Sequence, residues 1–507
     1  MSDSPREATA ALPAPRLRQG QRILKNAVVG VAAGVIAGGI EVPLIATLAR
    51  YLGVAGFGTY SFVIAFVRAF QHFGDLGLRS ILLREIAADR DNADKILAVA
   101  RGLVWLLSAA AFLIIVGLIH LFSSDSEVVR LTYLAGLALI TILHANAYGA
   151  VCRAFEEMEY NAIGHVLERL VFFVAVLVVV WMNWGLRAVF VGLLLANLTL
   201  WGFYYVVVRR NYLRPWILWD LRAGWHMAKE AVPVGIGVIL RRLTWSVDIV
   251  LLAKMVDVSS AGLFGAAYRI PVLIHQLSVT LSHPFAPVYA KLARASTDKI
   301  SEAYAQSFKA FWALGVPITV GTVVFADTII DTLFGAAFAP AATALQIQSI
   351  ATLFLFPTSL YVGLFTALGQ QRLYMMIATS CLAVNVLFDV LLIPWYSFIG
   401  ASIGTALAEI TFFGVGLYFL RRLDLRVPLL RVLSLHLVAG AVLGAFAYQL
   451  RGLPLVWAVL GGAGGLMLYG PLLLLLGALR VDELVVLWQR FRPRRASAGR
   501  PGKPVEE

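Results

Sequence analysis

Residues 48–75 read LARYLGVAGFGTYSFVIAFVRAFQHFGD and join a glycine-rich turn to a long apolar run. The run continues to residue 78, and about 20 such residues in a helix cross the hydrocarbon core of a bilayer. One face of this helix carries a polar stripe at positions i, i+4, i+7 and i+11, formed by Arg68, His72, Asp75 and Arg79. An apolar helix with one charged face predicts a membrane-embedded bundle whose interior is polar.

The rest of the chain repeats this apolar character. It has 507 residues, of which 60% are hydrophobic and 14% charged, and its mean hydropathy is +0.81. These values exclude a water-soluble protein and predict an all-α, polytopic membrane protein with about 14 transmembrane helices. The predicted spans are residues 26–49, 59–78, 99–121, 130–152, 161–182, 186–208, 230–256, 261–288, 308–332, 341–368, 373–395, 399–420, 432–450 and 455–479.

Basic residues alternate across the predicted spans and account for the net charge of +13. Of the 42 lysines and arginines, 32 lie on one predicted side of the membrane and four on the other, and the remaining six lie within spans. Because cytoplasmic loops collect Lys and Arg, both termini are predicted to be cytoplasmic. Topology explains the basic charge, so nucleic acid is not expected as a partner, although a basic inner face also attracts anionic lipid.

An internal repeat indicates two similar halves. Residues 48–50 (Leu-Ala-Arg) followed by Gly58 recur 204 positions later as residues 252–254 (Leu-Ala-Lys) followed by Gly262. Both copies join the first two spans of a six-span block, which predicts two pseudo-symmetric six-helix lobes with a cavity between them. The predicted organisation is a disordered cytoplasmic tail at 1–25, an N-terminal lobe at 26–208, a cytoplasmic linker at 209–229, a C-terminal lobe at 230–421, two further helices at 432–480 and a basic cytoplasmic tail at 481–507.

Ionisable residues inside the spans concentrate in the first two helices of each predicted lobe. A charge at mid-membrane costs about 2.5–3.5 kcal/mol on insertion scales, so such residues face a bundle interior or a water-filled cavity. Guanidinium groups stay charged and fork onto phosphate oxygens, which predicts a cationic, diphosphate-binding cavity. The predicted substrate-binding residues are Arg68, Arg241, Arg242 and Arg269, and the candidates for coupling or gating are Glu41, Asp75, Asp248, His72, His275 and Glu168.

A simpler interpretation of these charges is mutual neutralisation. Arg68 could pair with Asp75, and Arg241 could pair with Asp248 seven residues later on the same helical face. Three further carboxylates could either form an ion pair or have a functional role. They are Glu168, which is next to Arg169 in the sequence, Asp389 and Glu409.

Sequence motifs for catalysis are missing. The chain has no phosphate-binding loop, no H-E-x-x-H and no G-x-S-x-G, and Cys152 and Cys381 are lone thiols without metal-ligand spacing. The predicted outer loops are too short to display catalytic groups. We therefore expect no enzyme activity, no nucleotide, no metal and no cofactor, but a transporter driven by an ion gradient, the membrane potential or the substrate gradient.

Several segments in order carry a family resemblance. Residues 50–85 contain RYLGVAGFGTY, DLGL and RE, and residues 248–269 contain DIVLLAK and AGLFGAAYR. Residues 334–341 contain FG and PA, and residues 385–401 contain N-x-x-x-D, IP and GA. Over roughly residues 25–420 the chain resembles bacterial polysaccharide-biosynthesis flippases, of the lipid-linked oligosaccharide or O-antigen type, in the multidrug/oligosaccharidyl-lipid/polysaccharide exporter superfamily. It departs after Pro394, where the family often has glycine and this chain has Trp-Tyr-Ser.

The resemblance implies two lobes that rock between inward-open and outward-open states in the bacterial cytoplasmic (inner) membrane. The implied partner is an undecaprenyl-diphosphate-linked oligosaccharide, carried to the outer leaflet for O-antigen, capsule or exopolysaccharide synthesis beside polymerase or export machinery. It implies no cofactor and leaves H+ or Na+ as a possible coupling ion.

Four alternatives stay open at this point. Fourteen spans with two extra helices also suit a lipid II flippase for peptidoglycan. A multidrug or small-cation antiporter of the same superfamily would need a cavity that is more acidic and aromatic than the one predicted for this chain. A membrane-embedded glycan ligase would need catalytic groups on a large loop, and an assembly scaffold would need no transport path.

Overall fold

The computed structural model describes residues 19–451 and 455–478, and this part of the chain forms helices and no strand. The helices are α1 (Gln19–Asp75), α2 (Leu78–Ala88), α3 (Ala93–Phe122), α4 (Ser126–Ala154), α5 (Met158–Met182), α6 (Gly185–Asn211), α7 (Leu221–Met255), α8 (Val258–Ser282), α9 (Phe285–Ala293), α10 (Thr297–Val324), α11 (Ala326–Phe334), α12 (Ala341–Thr358), α13 (Tyr361–Ala367), α14 (Gln371–Arg422), α15 (Leu429–Gln449) and α16 (Leu455–Leu475), with a 3-10 turn at Ala336–Phe338. Residues 1–18 of the tail predicted at 1–25, and the whole tail predicted at 481–507, lie outside the described residues, whereas residues 19–25 already belong to α1.

Nine helical segments in the described ranges are long and apolar enough to cross a membrane. The all-α membrane fold is therefore confirmed, and the number of 14 spans stays a prediction. Helices α1 and α14 have 57 and 52 residues, more than twice the roughly 20 needed for one crossing. Each contains one non-helical residue, Gly53 (φ 65°) in α1 and Ser397 (φ 51°) in α14. The breaks predicted at 50–58 and 396–398 are thus single-residue kinks and not loops.

Proline residues shorten two of the predicted spans. Residues 261–288 divide into α8 and α9, because Pro284 stands at the start of α9. Residues 341–368 divide into α12 and α13 just after Pro357. Proline lacks an N–H and clashes with the preceding helical turn, so both sites favour a new helix over a continued one.

The two predicted lobes touch at the crossing of α1 and α8. We call α1–α6 the N-lobe and α7–α14 the C-lobe, and we call the face at which Gly53 lies the outer face, following the predicted topology. At this crossing, Gly58 and Gly262 face each other, and their nearest backbone neighbours are Val258 and Val54 of the opposite helix. These glycines are equivalent in the internal repeat, and equivalent residues meet only near the axis that relates them. The contact supports a twofold arrangement, while the lobe boundaries stay a prediction.

Aromatic side chains fill the outer end of this interface. The Phe57 ring of the N-lobe lies 6.2 Å from the Phe334 ring and 5.8 Å from the Phe338 ring, centroid to centroid. The same apolar cluster extends through the N-lobe into α8 and α12, whereas a second cluster fills the remaining part of the C-lobe. The two lobes therefore share one core toward the outer face.

The segment between the lobes follows α3 in extended conformation. The backbone carbonyl of Trp216 accepts a hydrogen bond from Arg101 Nη1 at 2.9 Å, and the Leu218 amide donates to the Ala98 carbonyl at 3.1 Å. A Cβ added at Gly102 would lie 2.6 Å from the Leu218 oxygen. The linker is therefore attached to the N-lobe before α7 begins.

The glycine crossing predicts a position-specific loss of stability. In Gly58→Ala, the new methyl group overlaps the Val258 carbonyl, so we expect the free energy of unfolding to fall by about 2 kcal/mol. The control is Gly321→Ala in α10, where nothing lies within 4 Å of the added carbon and stability should rise by up to about 1 kcal/mol. Thermal unfolding in detergent measures both, and equal melting temperatures for the two variants would contradict the packing at this crossing.

Candidate functional site

The side chain of Arg68 is exposed, seven residues before the end of α1 at Asp75. The seven residues before it, at 61–67, are all buried. A polar side chain that reaches solvent from a helix packed on both lobes indicates an aqueous space between those lobes. Of the other residues in its stripe, Asp75 and Arg79 are described and partly buried, whereas the side chain of His72 lies outside the described residues.

Charged groups from both lobes converge around Arg68. Its guanidinium interacts electrostatically with Arg269 of α8, Arg169 of α5 and Glu41 of α1. Arg169 Nη2 lies 3.6 Å from Glu41 Oε2. Glu41 and Arg269 also line a small pocket together with Leu333. We call this space between the lobes, with the groups around Arg68, the inter-lobe cleft.

A second charged group lies near the cytoplasmic end of the same stripe. Arg242 of α7 is exposed and interacts electrostatically with Arg79 and Asp75 of the N-lobe. Arg153 of α4 joins the same pair. Asp75 also accepts a hydrogen bond from the Arg79 amide at 3.4 Å. One carboxylate, Asp75, thus interacts with guanidinium groups from both lobes, those of Arg153 and Arg242.

The balance of charge in these two groups is positive. Among the residues that the structure describes, six arginines stand near three carboxylates, namely Arg68, Arg79, Arg153, Arg169, Arg242 and Arg269 near Glu41, Asp75 and Glu168. Glu168 lies 3.4 Å from His165 Nδ1, while Arg169 takes Glu41 as its ion-pair partner. The cleft therefore has unbalanced positive charge available to an anion.

Arg241 lies elsewhere than expected, in the core of the C-lobe. Its Nη1 and Nη2 donate to Glu409 Oε1 and Oε2, both at 2.8 Å, and its guanidinium lies 4.3 Å from the Phe412 ring centroid. This bidentate ion pair with Glu409 takes the place of the Arg241–Asp248 pair that the sequence allowed. Because both terminal nitrogens are buried and bonded to Glu409, this geometry gives no support to a phosphate-binding role for Arg241, which stays a prediction.

Two carboxylates lie together in the same lobe, away from the cleft arginines. Asp248 of α7 and Asp389 of α14 are fully buried, and Asp248 Oδ2 accepts from Thr405 Oγ1 at 2.8 Å. Asp389 Oδ1 is the nearest atom to a Cβ added at Gly404, so it lies beside the same turn. Asn385, one helical turn before Asp389, interacts with Asp248 as well.

These buried oxygens suit a small cation or a shared proton. The Oδ1 atom of Asp248, both carboxylate oxygens of Asp389 and both amide atoms of Asn385 have no hydrogen-bond partner among the described residues. Two adjacent buried carboxylates repel unless a positive charge neutralises one of them. Oxygen-only ligands favour hard ions, and no group of three or more His, Cys, Asp and Glu occurs in the described ranges. The site therefore fits Na+ or H+ better than a transition metal.

His275 lies in the C-lobe, near Thr405 of the carboxylate site and Glu409 of the Arg241 ion pair. Its ring packs edge-on against Trp245 at 4.1 Å between centroids. Both rings line a small pocket that Thr405 and Glu409 also line. His275 thus lies beside Thr405 and Glu409, and its ring also interacts electrostatically with Arg241 and Arg242.

The sequence singled out Asp248 and Asp389 separately, but it did not bring them together or add Asn385 and Thr405. The usable signal was the spacing of Asn385 and Asp389 at i and i+4, which places both on one face of an apolar helix. Nothing in the sequence pointed to Thr405, because single threonines are common in such helices and bond to their own backbone.

Comparison with known proteins gives one family and one distant relative. The profile of the family described as "Polysaccharide biosynthesis protein" matches residues 23–293. An uncharacterized membrane protein of Methanocaldococcus jannaschii is 29% identical over 107 residues. That match spans 21% of this chain and 21% of the relative.

Solved structures share the fold at low identity. A structure titled "Lipid II flippase MurJ, inward closed conformation" matches with a TM-score of 0.74 at 13% identity, covering 89% of this chain and 99% of that one. An inward-facing multidrug resistance MATE family transporter of the MOP superfamily matches with a TM-score of 0.60 at 17% identity, covering 78% and 99% respectively. The likeness establishes the helical arrangement.

The Arg241–Glu409 pair predicts strong coupling between two substitutions. Arg241→Ala or Glu409→Ala alone leaves one buried charge unpaired, so each should lower the free energy of unfolding by about 3–5 kcal/mol. Arg241→Met with Glu409→Leu removes both charges and should cost much less than the sum of the two single changes. Thermal unfolding of the four proteins in detergent measures the cycle, and additive losses would show that the pair is not coupled.

Proposed function

The chain belongs to the polysaccharide biosynthesis protein family, and we propose that it is a flippase for polyprenyl-diphosphate-linked oligosaccharide. In this proposal it carries the lipid from the inner to the outer leaflet of the bacterial cytoplasmic membrane, with both termini cytoplasmic. The glycan then enters synthesis of O-antigen, capsule or exopolysaccharide beside polymerase or export machinery. No bond of the substrate is made or broken, so the role is not enzymatic.

The electrostatic proximity of Arg68 and Arg269, which come from different lobes, is the observation that carries this proposal. One belongs to the N-lobe and the other to the C-lobe, and their like charges interact unfavourably. A diphosphate carries two negative charges and several acceptor oxygens, so it can bind both guanidinium groups at once. A diphosphate held this way relieves the repulsion and joins the lobes, while the polyprenyl chain stays in the surrounding bilayer.

The remaining cleft arginines extend this surface toward the cytoplasm. Arg242 and Arg79 lie near Asp75, which follows Arg68 on the stripe by seven residues, or about two helical turns. A row of guanidinium groups from the cytoplasmic end to mid-membrane gives the headgroup successive binding positions during entry. We assign Arg68, Arg242 and Arg269 to the diphosphate, and Glu41, Asp75 and Glu168 to gating, because each carboxylate holds arginines that the ligand also needs.

Two sources of energy are available to move the charged headgroup outward. A membrane potential of about 100 mV, negative inside, favours exit of each negative charge by about 2.3 kcal/mol. The oxygen site of Asp248, Asn385, Asp389 and Thr405 can in addition bind Na+ or H+. Because its ligands lie on both α7 and α14, loading of this site can bias the shape of the C-lobe.

A lipid II flippase is the second candidate, because the structure with the TM-score of 0.74 is one. Lipid II carries the same diphosphate linkage, so the cleft alone does not distinguish the two. Deletion of the gene does: loss of surface polysaccharide without lysis fits the first proposal, and lysis fits lipid II. An antiporter for cationic drugs is disfavoured by the excess of arginine in the cleft.

Flipping should depend on the cleft arginines. Arg68→Gln and Arg269→Gln each remove a charge-assisted bond, worth about 1.5–3 kcal/mol, so the rate should fall at least about tenfold. The assay uses fluorescent lipid-linked oligosaccharide in proteoliposomes. The control is Arg130→Gln, because Arg130 bonds to Ser126 of its own helix near the outer face. Wild-type flipping in both cleft variants would refute diphosphate binding there.

Ion dependence should depend on the buried carboxylates. Asp248→Asn and Asp389→Asn keep the shape but halve the negative charge, so stimulation of flipping by an imposed Na+ or pH gradient should disappear. The control is Asp91→Asn, an exposed residue of the cytoplasmic loop. Proteoliposomes with each gradient in turn identify the ion, and gradient-stimulated flipping in both buried variants would exclude this site from coupling.

A further inference from the structure

Arg50 of the N-lobe bonds to the end of a C-lobe helix at the outer face. Its Nη2 donates to the Thr332 carbonyl at 2.6 Å and its Nε to the Leu333 carbonyl at 3.2 Å. A longer contact of 3.4 Å reaches the Asp331 carbonyl. All three acceptors belong to the last turn of α11 (Ala326–Phe334), whose carbonyls have few partners within the helix.

Lys254 of the C-lobe makes the reciprocal contact. Its Nζ donates to the Leu121 carbonyl at 3.0 Å, and Leu121 belongs to the last turn of α3 (Ala93–Phe122) in the N-lobe. A cation at a helix C-terminus satisfies an orphan carbonyl and also interacts favourably with the helix dipole. Each lobe thus caps one helix of the other.

The two contacts are related by the internal repeat. Arg50 and Lys254 occupy equivalent positions, because each lies eight residues before its repeat glycine, Gly58 and Gly262 respectively. Gly58 and Gly262 themselves touch at the α1–α8 crossing. The repeat therefore places two equivalent cations on either side of the contact between the lobes, and both bond across it.

Other basic residues of the outer face do not connect the two lobes in the described ranges. Arg130 bonds to Ser126 of its own helix, and Arg187 lies 3.5 Å from Glu127 of the same lobe. Arg451, after α15, pairs with Asp327. Bonding across the lobe interface is thus specific to the two repeat-related cations and is not a general property of outer basic residues.

We propose that Arg50 and Lys254 form a paired outer latch, which holds the outer ends of the lobes together and must break before substrate leaves toward the outer leaflet. The latch rests on the proposed transport function for its role in the cycle. Its acceptors are backbone carbonyls, so any donor of suitable length can serve. This explains how arginine and lysine can stand at equivalent positions.

The test measures the distance between the outer ends of the lobes without substrate. Spin labels are attached to Ser124→Cys in the N-lobe and Ala337→Cys in the C-lobe, both of which are exposed. The native thiols Cys152 and Cys381 are buried and can stay in place. Pulsed electron–electron double resonance on the purified full chain in nanodiscs then measures the distance between the two labels. The distance distribution gives the populations of protein with closed and with open outer ends.

Each latch variant should shift this distribution toward long distances. Arg50→Ala and Lys254→Ala should each raise the ratio of open to closed protein about threefold, and the double variant about tenfold, in line with the strength of cation–dipole caps. Arg50→Lys and Lys254→Arg keep a donor and should stay closer to the wild-type ratio. Arg130→Ala and Arg187→Ala, the matched controls, should leave the ratio unchanged.

The outcomes separate the latch from the transport proposal. Wild-type distances in both single variants and the double variant would overturn the latch even if the protein flips lipid, and so would an equal shift in the control variants. The expected shifts in a protein that fails to flip lipid-linked oligosaccharide would instead sustain the latch and refute the proposed function. If the double variant does not fold, the single variants and their donor-retaining replacements decide the matter.

Discussion

A charged side chain inside a membrane bundle must either find a partner or reach water, and this constraint organises the whole interior of the protein. Arg241 and Arg242 are neighbours in sequence but meet it in opposite ways. Arg241 is buried against Glu409 with both forks occupied, whereas Arg242 reaches solvent between the lobes. The buried Arg241 pair joins α7 to α14 within the C-lobe. The exposed Arg242 leaves a positive charge available to a ligand.

The same constraint links the two halves of the proposed cycle. Helix α14 carries Asp389 before its kink at Ser397, close to Asp248 of α7. After the kink, Thr405 and Glu409 bond to Asp248 and Arg241 of α7. A cation or proton that neutralises Asp248 and Asp389 therefore acts on both sides of the kink. An anion in the inter-lobe cleft acts between the lobes. The ion thus acts within the C-lobe, at the kink of α14, whereas the substrate acts between the two lobes.

The fold could be predicted from the sequence because long apolar runs and alternating basic loops report directly on burial in a bilayer. The repeat also anticipated the glycine contact, since Gly58 and Gly262 are its common positions. The sequence did not predict how the spans are connected. Helices α1 and α14 turn at single residues, Gly53 and Ser397. A single residue with an unusual backbone conformation does not change the periodicity of the hydrophobic pattern.

The candidate site was predictable only in part. Arg68 and Arg269 were found because a charge in an apolar helix is conspicuous, and their meeting across the cleft follows from the two-lobe arrangement. The partner of Arg241 was missed because Glu409 lies 168 residues away, and spacing along one helix favoured Asp248 instead. Partners that are distant in sequence, or that are backbone carbonyls as for Arg50, leave no local pattern.

Affinity for the lipid headgroup tests the central claim most directly. Native mass spectrometry of the purified protein can compare undecaprenyl diphosphate, undecaprenyl phosphate and a lipophilic cation at equal concentration. A cleft with arginines from both lobes predicts that the diphosphate binds about tenfold more tightly than the monophosphate, since one more charge-assisted contact forms. Equal binding of the two phosphates, or a preference for the cation, would contradict the account of the cleft as a diphosphate site.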